Sequence, residues 1–130
     1  IPGVKGALNT LKKHYKLALL SNCKHREIVA TIKAAGIDKS AFIEMIGNDE
    51  VKHPKPNPDE IRKAMQKART KKGYMVGDST YDIDAGKAAG LKTIAVLTGS
   101  HSRAKLMRHK PDYIIKSIAD LPELLCAIKK

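Results

Sequence analysis

Gly77-Asp78-Ser79-Thr80-Tyr81-Asp82 carries the sharpest chemical signal in the chain. Two carboxylates stand four residues apart, one at the end of an expected strand and one in the first turn of an expected helix. Hard oxygen ligands of this kind suit Mg²⁺, which takes one or two carboxylates together with substrate phosphate. The same residues also read as helix punctuation, with Asp78 as the cap and Asp82 favoured by the helix dipole. The small residues of Asp84-Ala85-Gly86-Lys87-Ala88-Ala89-Gly90 tilt the balance, because they let that helix approach a sheet closely. Ser21 and Asn22 follow a short apolar run. A hydroxyl there, beside backbone N–H groups, can hold a phosphoryl oxygen, or it can simply cap the next helix. Lys55 lies between Pro54 and Pro56. It is either a pre-oriented cation for a phosphate, at small ordering cost, or one more surface lysine. Cys23 and His25 invite a nucleophile reading, but no orienting acid accompanies them, so Cys23 is expected to be a buried structural thiol. His14, His53, His101 and His109 show no zinc spacing.

These residues need a scaffold that brings them together. Val4, Leu8 and Leu11 recur at helical spacing and predict a helix over about residues 3–14. Residues 16–20 read as a buried strand. Ile28, Ile32 and Ala35 mark a helix stopped by Gly36. Residues 42–47 read as the next strand. The segment 53–58 holds three prolines, which predicts a stiff, extended connection. Asn57 as cap, Pro58 in the first helical position and Glu60 closing a capping box start a helix through Ile61, Met65 and Ala68. Residues 73–77 and 91–97 predict strands around a helix over 81–89. A helix over 101–109, a short strand over 113–115 and a terminal helix over 117–128 complete the chain. Strands alternate with helices throughout. The expected fold class is therefore α/β, a Rossmann-like three-layer sandwich with a mainly parallel sheet, in a single domain over 1–130. Ligands of such sheets bind beyond the strand C-termini, which is where Ser21-Asn22 and Asp78-Ser79 fall.

The composition narrows the classes of function. The 130 residues carry 25 Lys+Arg against 13 Asp+Glu, a formal net charge of +12. The basic residues are spread along the whole chain. With one Phe, four Tyr and no Trp, there is no stacking platform for single-stranded nucleic acid. No specific nucleic-acid partner is expected. No apolar run approaches the ~20 residues of a membrane helix. The two cysteines, Cys23 and Cys126, form neither a metal motif nor a disulfide framework, so a reducing cytoplasm is expected. The chain begins with Ile1, which leads us to expect a fragment or a cleavage product.

In order along the chain, these segments resemble motifs of the haloacid dehalogenase superfamily, in particular its phosphoglycolate phosphatase and pyrophosphatase branch. LALLSN at 17–22 resembles the second motif, whose Ser or Thr holds the phosphoryl group. HPKPNPDEI at 53–61 resembles the third, whose Lys contacts it. YMVGDSTYDIDAGKAAGLKTIAV at 74–96 resembles the fourth, whose acids hold Mg²⁺. The opening Pro2-Gly3-Val4 and the late segment at 112–125 also fit. The resemblance implies a Mg²⁺-dependent phosphatase acting on a small phosphorylated substrate. Ser21, Lys55 and Asp78 would be its catalytic residues. Ser21, Asn22 and Lys55 would bind the phosphate, and Asp78 and Asp82 the metal. The first motif, DxDxT, which supplies the nucleophilic Asp on the central strand, is absent, as is the cap that follows it. The only DxD is Asp82-Ile83-Asp84. The resemblance therefore implies the C-terminal core portion of a larger phosphatase, inactive alone, whose central strand comes from a separate or missing N-terminal segment. The alternative is a non-catalytic domain that binds a phosphorylated ligand or a protein partner.

Overall fold

The computed structural model describes residues 3–99 and 101–129. The opening residues Ile1 and Pro2 lie outside them. The chain alternates helices and strands: α1 (Val4–Leu11), β1 (Ala18–Leu20), α2 (His25–Ala34), β2 (Glu44–Ile46), α3 (Asp59–Ala68), β3 (Tyr74–Gly77), α4 (Thr80–Ala88), β4 (Lys92–Val96), α5 (Arg103–Arg108), β5 (Tyr113–Ile115) and α6 (Leu121–Lys129). Every expected element is present, most of them a few residues shorter than predicted. Gly36 ends α2 with φ +73°, a left-handed conformation that a glycine adopts without strain. The terminal helix opens with a 3₁₀ turn over Ile118–Asp120, where the Ser117 hydroxyl accepts from the Ala119 amide.

Period-2 alternation along the strands builds the layers. Tyr74, Val76, Ile94, Tyr113 and Ile115 face Leu11 of α1 and Leu121 and Leu125 of α6. Met75 turns to the other face, against Ile61 of α3 and Ala85 of α4. Ala95 and Ile114 join Ile83 of α4 and Leu106 of α5 there. Helices thus cover both faces, as the α/β expectation required. Gly86 sets the spacing of α4. A Cβ at that position would lie 2.7 Å from Met75 Cβ and 2.7 Å from Thr93 Cγ2. The small-residue helix is therefore a device for close approach.

The strand pairing is parallel throughout, as the expected fold class requires, and the sheet is divided where the absent central strand was expected. It is not one continuous sheet but two parallel ones, β1–β2 and β3–β4–β5. In the first, Ala18, Leu19 and Leu20 pair with Glu44, Met45 and Ile46. The Ile43 amide donates to Leu17 O and the Ser21 amide to Ile46 O. Alternate residues of a parallel strand bond to opposite sides, so the peptide groups of Ala18 and Leu20 point away from β2. Among the described residues the other edge of β1 has no strand on it, and neither has the edge of β3 remote from β4. Burial follows. Strand β4, paired on both sides, is buried from Thr93 to Val96, whereas Ala18 is exposed and Leu19 and Leu20 are half-buried. The expectation that residues 16–20 form a buried strand is corrected for this reason: among the described residues β1 has a strand on one edge only.

Candidate active site

The split between the sheets is spanned at its C-terminal edge by one side chain. Lys55 Nζ lies 3.4 Å from the carbonyl of Leu20, the last residue of β1, and donates to Asp82 Oδ1 at 2.5 Å. Only 9% of the Lys55 side chain and 8% of the Asp82 side chain are exposed. The lysine is thus a buried cation, and the surface-lysine alternative is set aside. Its backbone is tied as well. The Lys55 amide donates to Glu60 Oε2 at 3.2 Å, and its carbonyl accepts from Asn22 Nδ2 at 3.3 Å. The segment 53–58 is not extended as expected. It turns back on itself, with the Asn57 amide donating to Pro54 O at 3.1 Å. That turn aims Lys55 inward, where an extended strand would carry it past the site.

Asp82 owes its position to the start of α4. The cap is Ser79, not Asp78. Ser79 Oγ accepts from the Asp82 amide at 3.3 Å, while Asp82 Oδ2 accepts from the Ser79 amide at 3.2 Å and from Ser79 Oγ at 3.1 Å. This is a reciprocal capping box with Asp in place of the usual Glu. The shorter acid leaves Oδ1 free to meet Lys55. A side chain at Gly77 would collide with the Asp82 carboxylate, so a glycine is needed there. With capping done by Ser79, the exposed Asp78 carboxylate at the tip of β3 takes no hydrogen bond or ion pair among the described residues. It lies against Gly99 in the loop after β4, where a Cβ would come within 2.6 Å of Asp78 Cγ. The start of α4 is bonded to that same loop: the Thr80 amide donates to His101 Nδ1 at 3.2 Å.

Ser21 and Asn22 close the other side. Ser21 Oγ accepts from the Cys23 amide at 3.0 Å, and Asn22 reaches the Lys55 carbonyl. Ser21, Asn22, Lys55 and Asp82 therefore surround the end of the split. Asp78 follows β3 at the same edge, with no direct bond to the others. Cys23 is exposed, against the expectation of a buried thiol, because the loop turns its side chain outward while its carbonyl accepts from Asn48 at 2.9 Å. His25 gives Cys23 no partner. Its ring is 2.5 Å from Glu50 Oε1, and its amide donates to Asp49 Oδ1 at 3.0 Å. That amide holds the Asp49 carboxyl below the usual carboxylate range.

One residue of the site escaped the sequence reading. Glu60, expected to close a capping box, is fully buried beneath Lys55. Pro58 occupies the cap position instead, and Asn57 Oδ1 accepts from the Asp59 amide at 3.1 Å. Glu60 Oε1 is a buried atom with no hydrogen-bond partner among the described residues. Burial pushes the Glu60 carboxyl above its ordinary range. The Lys55 amide and charge and the Ser21 amide oppose that shift, and the charge of Asp82 adds to it. A signal was available in the sequence: Glu60 precedes Ile61 and lies four residues before Ala64, on the apolar face of its helix.

The donor chemistry fits a hard divalent cation. Among the described residues no three His, Cys, Asp or Glu side chains gather into a ready-made metal site. Of Glu60, Asp78 and Asp82, it is Asp78 whose carboxylate has no protein partner among the described residues. A site with so few protein ligands suits Mg²⁺, which keeps waters and shares substrate phosphate oxygens.

Comparison with known proteins adds the remaining observations. A family model for haloacid dehalogenase-like hydrolases matches residues 1–96. The chain is 33% identical over 119 residues to the pyrophosphatase PpaX of Bacillus mycoides strain KBAB4, covering 90% of this chain and 55% of that one. It is 33% identical over 116 residues to the PpaX of Bacillus cereus strain Q1, covering 88% and 53%. The chain thus spans about half the length of the curated relatives it matches. Among solved structures, a predicted phosphoglycolate phosphatase from Haemophilus somnus superposes with a TM-score of 0.87 at 31% identity, covering 95% of this chain and 56% of that one. A hydrolase from Pseudomonas syringae shares the fold, with a TM-score of 0.86 at 22% identity, covering 98% and 62%.

Proposed function

The chain belongs to the haloacid dehalogenase-like hydrolase family, and from that membership we propose that it forms the core of a Mg²⁺-dependent phosphohydrolase acting on a small phosphate ester or anhydride. The observation that carries this reading is the buried Lys55–Asp82 pair at the mouth of the split, with Ser21 and Asn22 beside it. A buried ammonium that donates to one carboxylate and to the Leu20 carbonyl keeps one N–H for a phosphoryl oxygen. Ser21 Oγ and the amide group of Asn22 would bind the same oxygens, and Asp82 would orient Lys55. Asp78 would hold Mg²⁺ with water and substrate, whereas Asp82, expected as a second metal ligand, has its oxygens engaged by Lys55 and Ser79 and would act from outside the ion; the ion supplies charge to the phosphoryl group when bound. Phosphoryl transfer asks mostly for this kind of positioning and charge stabilisation.

We further propose that a strand fills the split and brings the nucleophile. The peptide groups of Ala18 and Leu20 face it, and Leu20 packs toward Met75 from the far side. A carboxylate on that strand would attack phosphorus, and the alcohol or phosphate leaving group would depart with a proton given by the second Asp of a DxDxT motif. Water would then cleave the resulting aspartyl-phosphate, releasing inorganic phosphate and regenerating the carboxylate. The substrate class agrees with the names of the relatives. The open split also favours a second reading, a non-catalytic domain that binds a phosphorylated ligand.

Titration of inorganic phosphate by calorimetry, with and without Mg²⁺, tests the site. Binding that weakens in Lys55→Ala supports it, and equal binding by both proteins overturns it. Assay of the chain on an aryl phosphate and on pyrophosphate tests the chemistry. We expect no turnover by residues 1–130 alone, and metal-dependent hydrolysis by them would refute the nucleophile assignment. With phosphate binding established, activity that appears when a DxDxT-bearing strand is added selects the enzyme. Persistent inactivity selects the binding domain.

A further inference from the structure

The fold gathers charges that are dispersed along the sequence. In a parallel α/β unit every helix-to-strand loop falls at the edge opposite the strand C-termini, and so does every helix C-terminus. The loops at that edge, 12–17, 35–43, 69–73, 89–91 and 109–112, carry eight Lys or Arg and two acids. The loops around the candidate active site, 21–24, 47–58, 78–79, 97–99, 101–102 and 116–120, carry four of each. Nearly all of the imbalance in the loops therefore lies away from the active site. The last turns of α2, α3, α4 and α5 add further cations to that edge, where they complement the helix dipoles.

The cluster is contiguous. Lys12, Lys13, Lys16, Arg69, Lys71 and Lys72 are all exposed. Their two loops are joined by the bond from Lys16 Nζ to the Ala68 carbonyl at 3.0 Å. No acid occurs before Glu27 or between Ile61 and Gly77, so neither loop carries an acid of its own, and the acid near the first is Asp38, which feels the charge of Lys12. Lys92 continues the row, since it pairs with Tyr74 just after the second loop. Lys110 follows beside β5, next to Asp112. The Asp112 carboxylate is committed to Thr93, accepting from its amide at 2.8 Å. Strands β3, β4 and β5 are neighbours, about 4.8 Å apart, so Lys72, Lys92 and Lys110 follow one another along that part of the edge.

We propose that this edge is a docking surface for the phosphate backbone of double-stranded nucleic acid, bound without regard to sequence. Lysines predominate, and they act as point charges rather than bidentate readers of bases. Among the described residues the large exposed apolar side chains are Tyr81 and Met107. Tyr81 lies at the start of α4, by the other edge. Met107 alone is too little to stack bases or to insert into a membrane. This surface is distinct from the candidate active site, and its test does not depend on that site.

The test is fluorescence anisotropy of a labelled random-sequence DNA duplex between 50 and 200 mM salt. Engagement of four or five phosphates gives a slope of about −4 in log affinity against log salt, a loss of about two orders of magnitude across that range. Neutralising this edge with Lys12→Gln, Lys13→Gln, Lys71→Gln and Lys72→Gln should flatten the slope to about −1. A control that removes the same charge elsewhere, Lys24→Gln, Arg26→Gln, Lys52→Gln and Lys116→Gln, should keep the slope and stay within about threefold of wild-type affinity at 200 mM salt. If the fourfold variant does not fold, the pairs Lys12→Gln/Lys13→Gln and Lys71→Gln/Lys72→Gln are each expected to lower the slope by about 2. Equal loss in the two sets, or the absence of salt-dependent binding, overturns the proposal. Binding to phosphatidylserine vesicles in preference to duplex overturns the choice of partner.

Discussion

Asp82→Ala tests the hinge of the site. The carboxylate makes a 2.5 Å ion pair with Lys55 and accepts twice from Ser79. Both members of the ion pair are more than nine-tenths buried. Removing one partner of a buried pair leaves an uncompensated charge and costs about 3–5 kcal/mol. Loss of the reciprocal cap adds about 1 kcal/mol. Total stability of a domain is only ~5–15 kcal/mol, so the variant should be close to unfolding at room temperature. Urea titration should show a midpoint lowered by more than about 1 M, at ~1–3 kcal/mol per M for small domains. Because the pair is buried, 1 M NaCl should leave most of the effect in place. Replacing Lys55 as well, by Met, should recover stability, since apolar groups that fill the same space do about as well as a buried pair. The double-mutant cycle then gives a coupling of about 2–3 kcal/mol. An Asp82→Ala variant within 1 kcal/mol of wild type, or strict additivity with Lys55→Met, would refute the view that this buried pair ties the 53–58 turn to the start of α4 at the mouth of the split.

Glu60→Gln should change how stability depends on pH. The folded Glu60 carboxyl lies above its unfolded value, so the native state holds the extra proton and stability falls as pH rises from about 4.5 through the folded value. Asp38, Asp49 and Asp112 are shifted the other way and lose stability as pH falls, so the readout is the difference between wild type and variant across acid pH. No difference in slope would refute the assignment. Gly86→Ala should destabilise by about 1–3 kcal/mol from overpacking against Met75 and Thr93, offset by up to about 1 kcal/mol of helix propensity. A rise in melting temperature would show that α4 can move away from the sheet. Asp78→Asn should weaken Mg²⁺ binding by more than the ~10–100-fold that loss of an outer hydrogen bond costs a metal site. Calorimetry finding equal Mg²⁺ affinity in both proteins would remove Asp78 from the metal site.

The alternation of helices and strands was legible in the sequence because it rests on local signals, namely apolar periodicity and Gly and Pro punctuation. The convergence of Ser21, Asn22, Lys55 and Asp82 at one edge, with Asp78 at the tip of β3, was legible too. Parallel topology carries the tips of all strands to the same side, so strand order in the chain suffices to place them. What depended on packing partners could not be read from one segment at a time. Ser79 and Asp78 are both good caps, and only the fold decided that Ser79 would cap and leave Asp78 free. Residues 17–20 have the composition of a buried strand, yet Ala18 is exposed because burial requires a neighbour on each edge and β1 has one. Cys23 looks apolar in sequence and faces outward because its loop turns there. Glu60 looks like a surface acid and is buried because α3 presents that face to Lys55. The lysines at 12, 13, 71 and 72 lie far apart in the chain and share an edge because the fold sends every helix-to-strand loop to it. Secondary structure is set within a few residues of each position, whereas burial, pairing and charge clustering are properties of contacts between distant segments, and those exist only once the chain is folded.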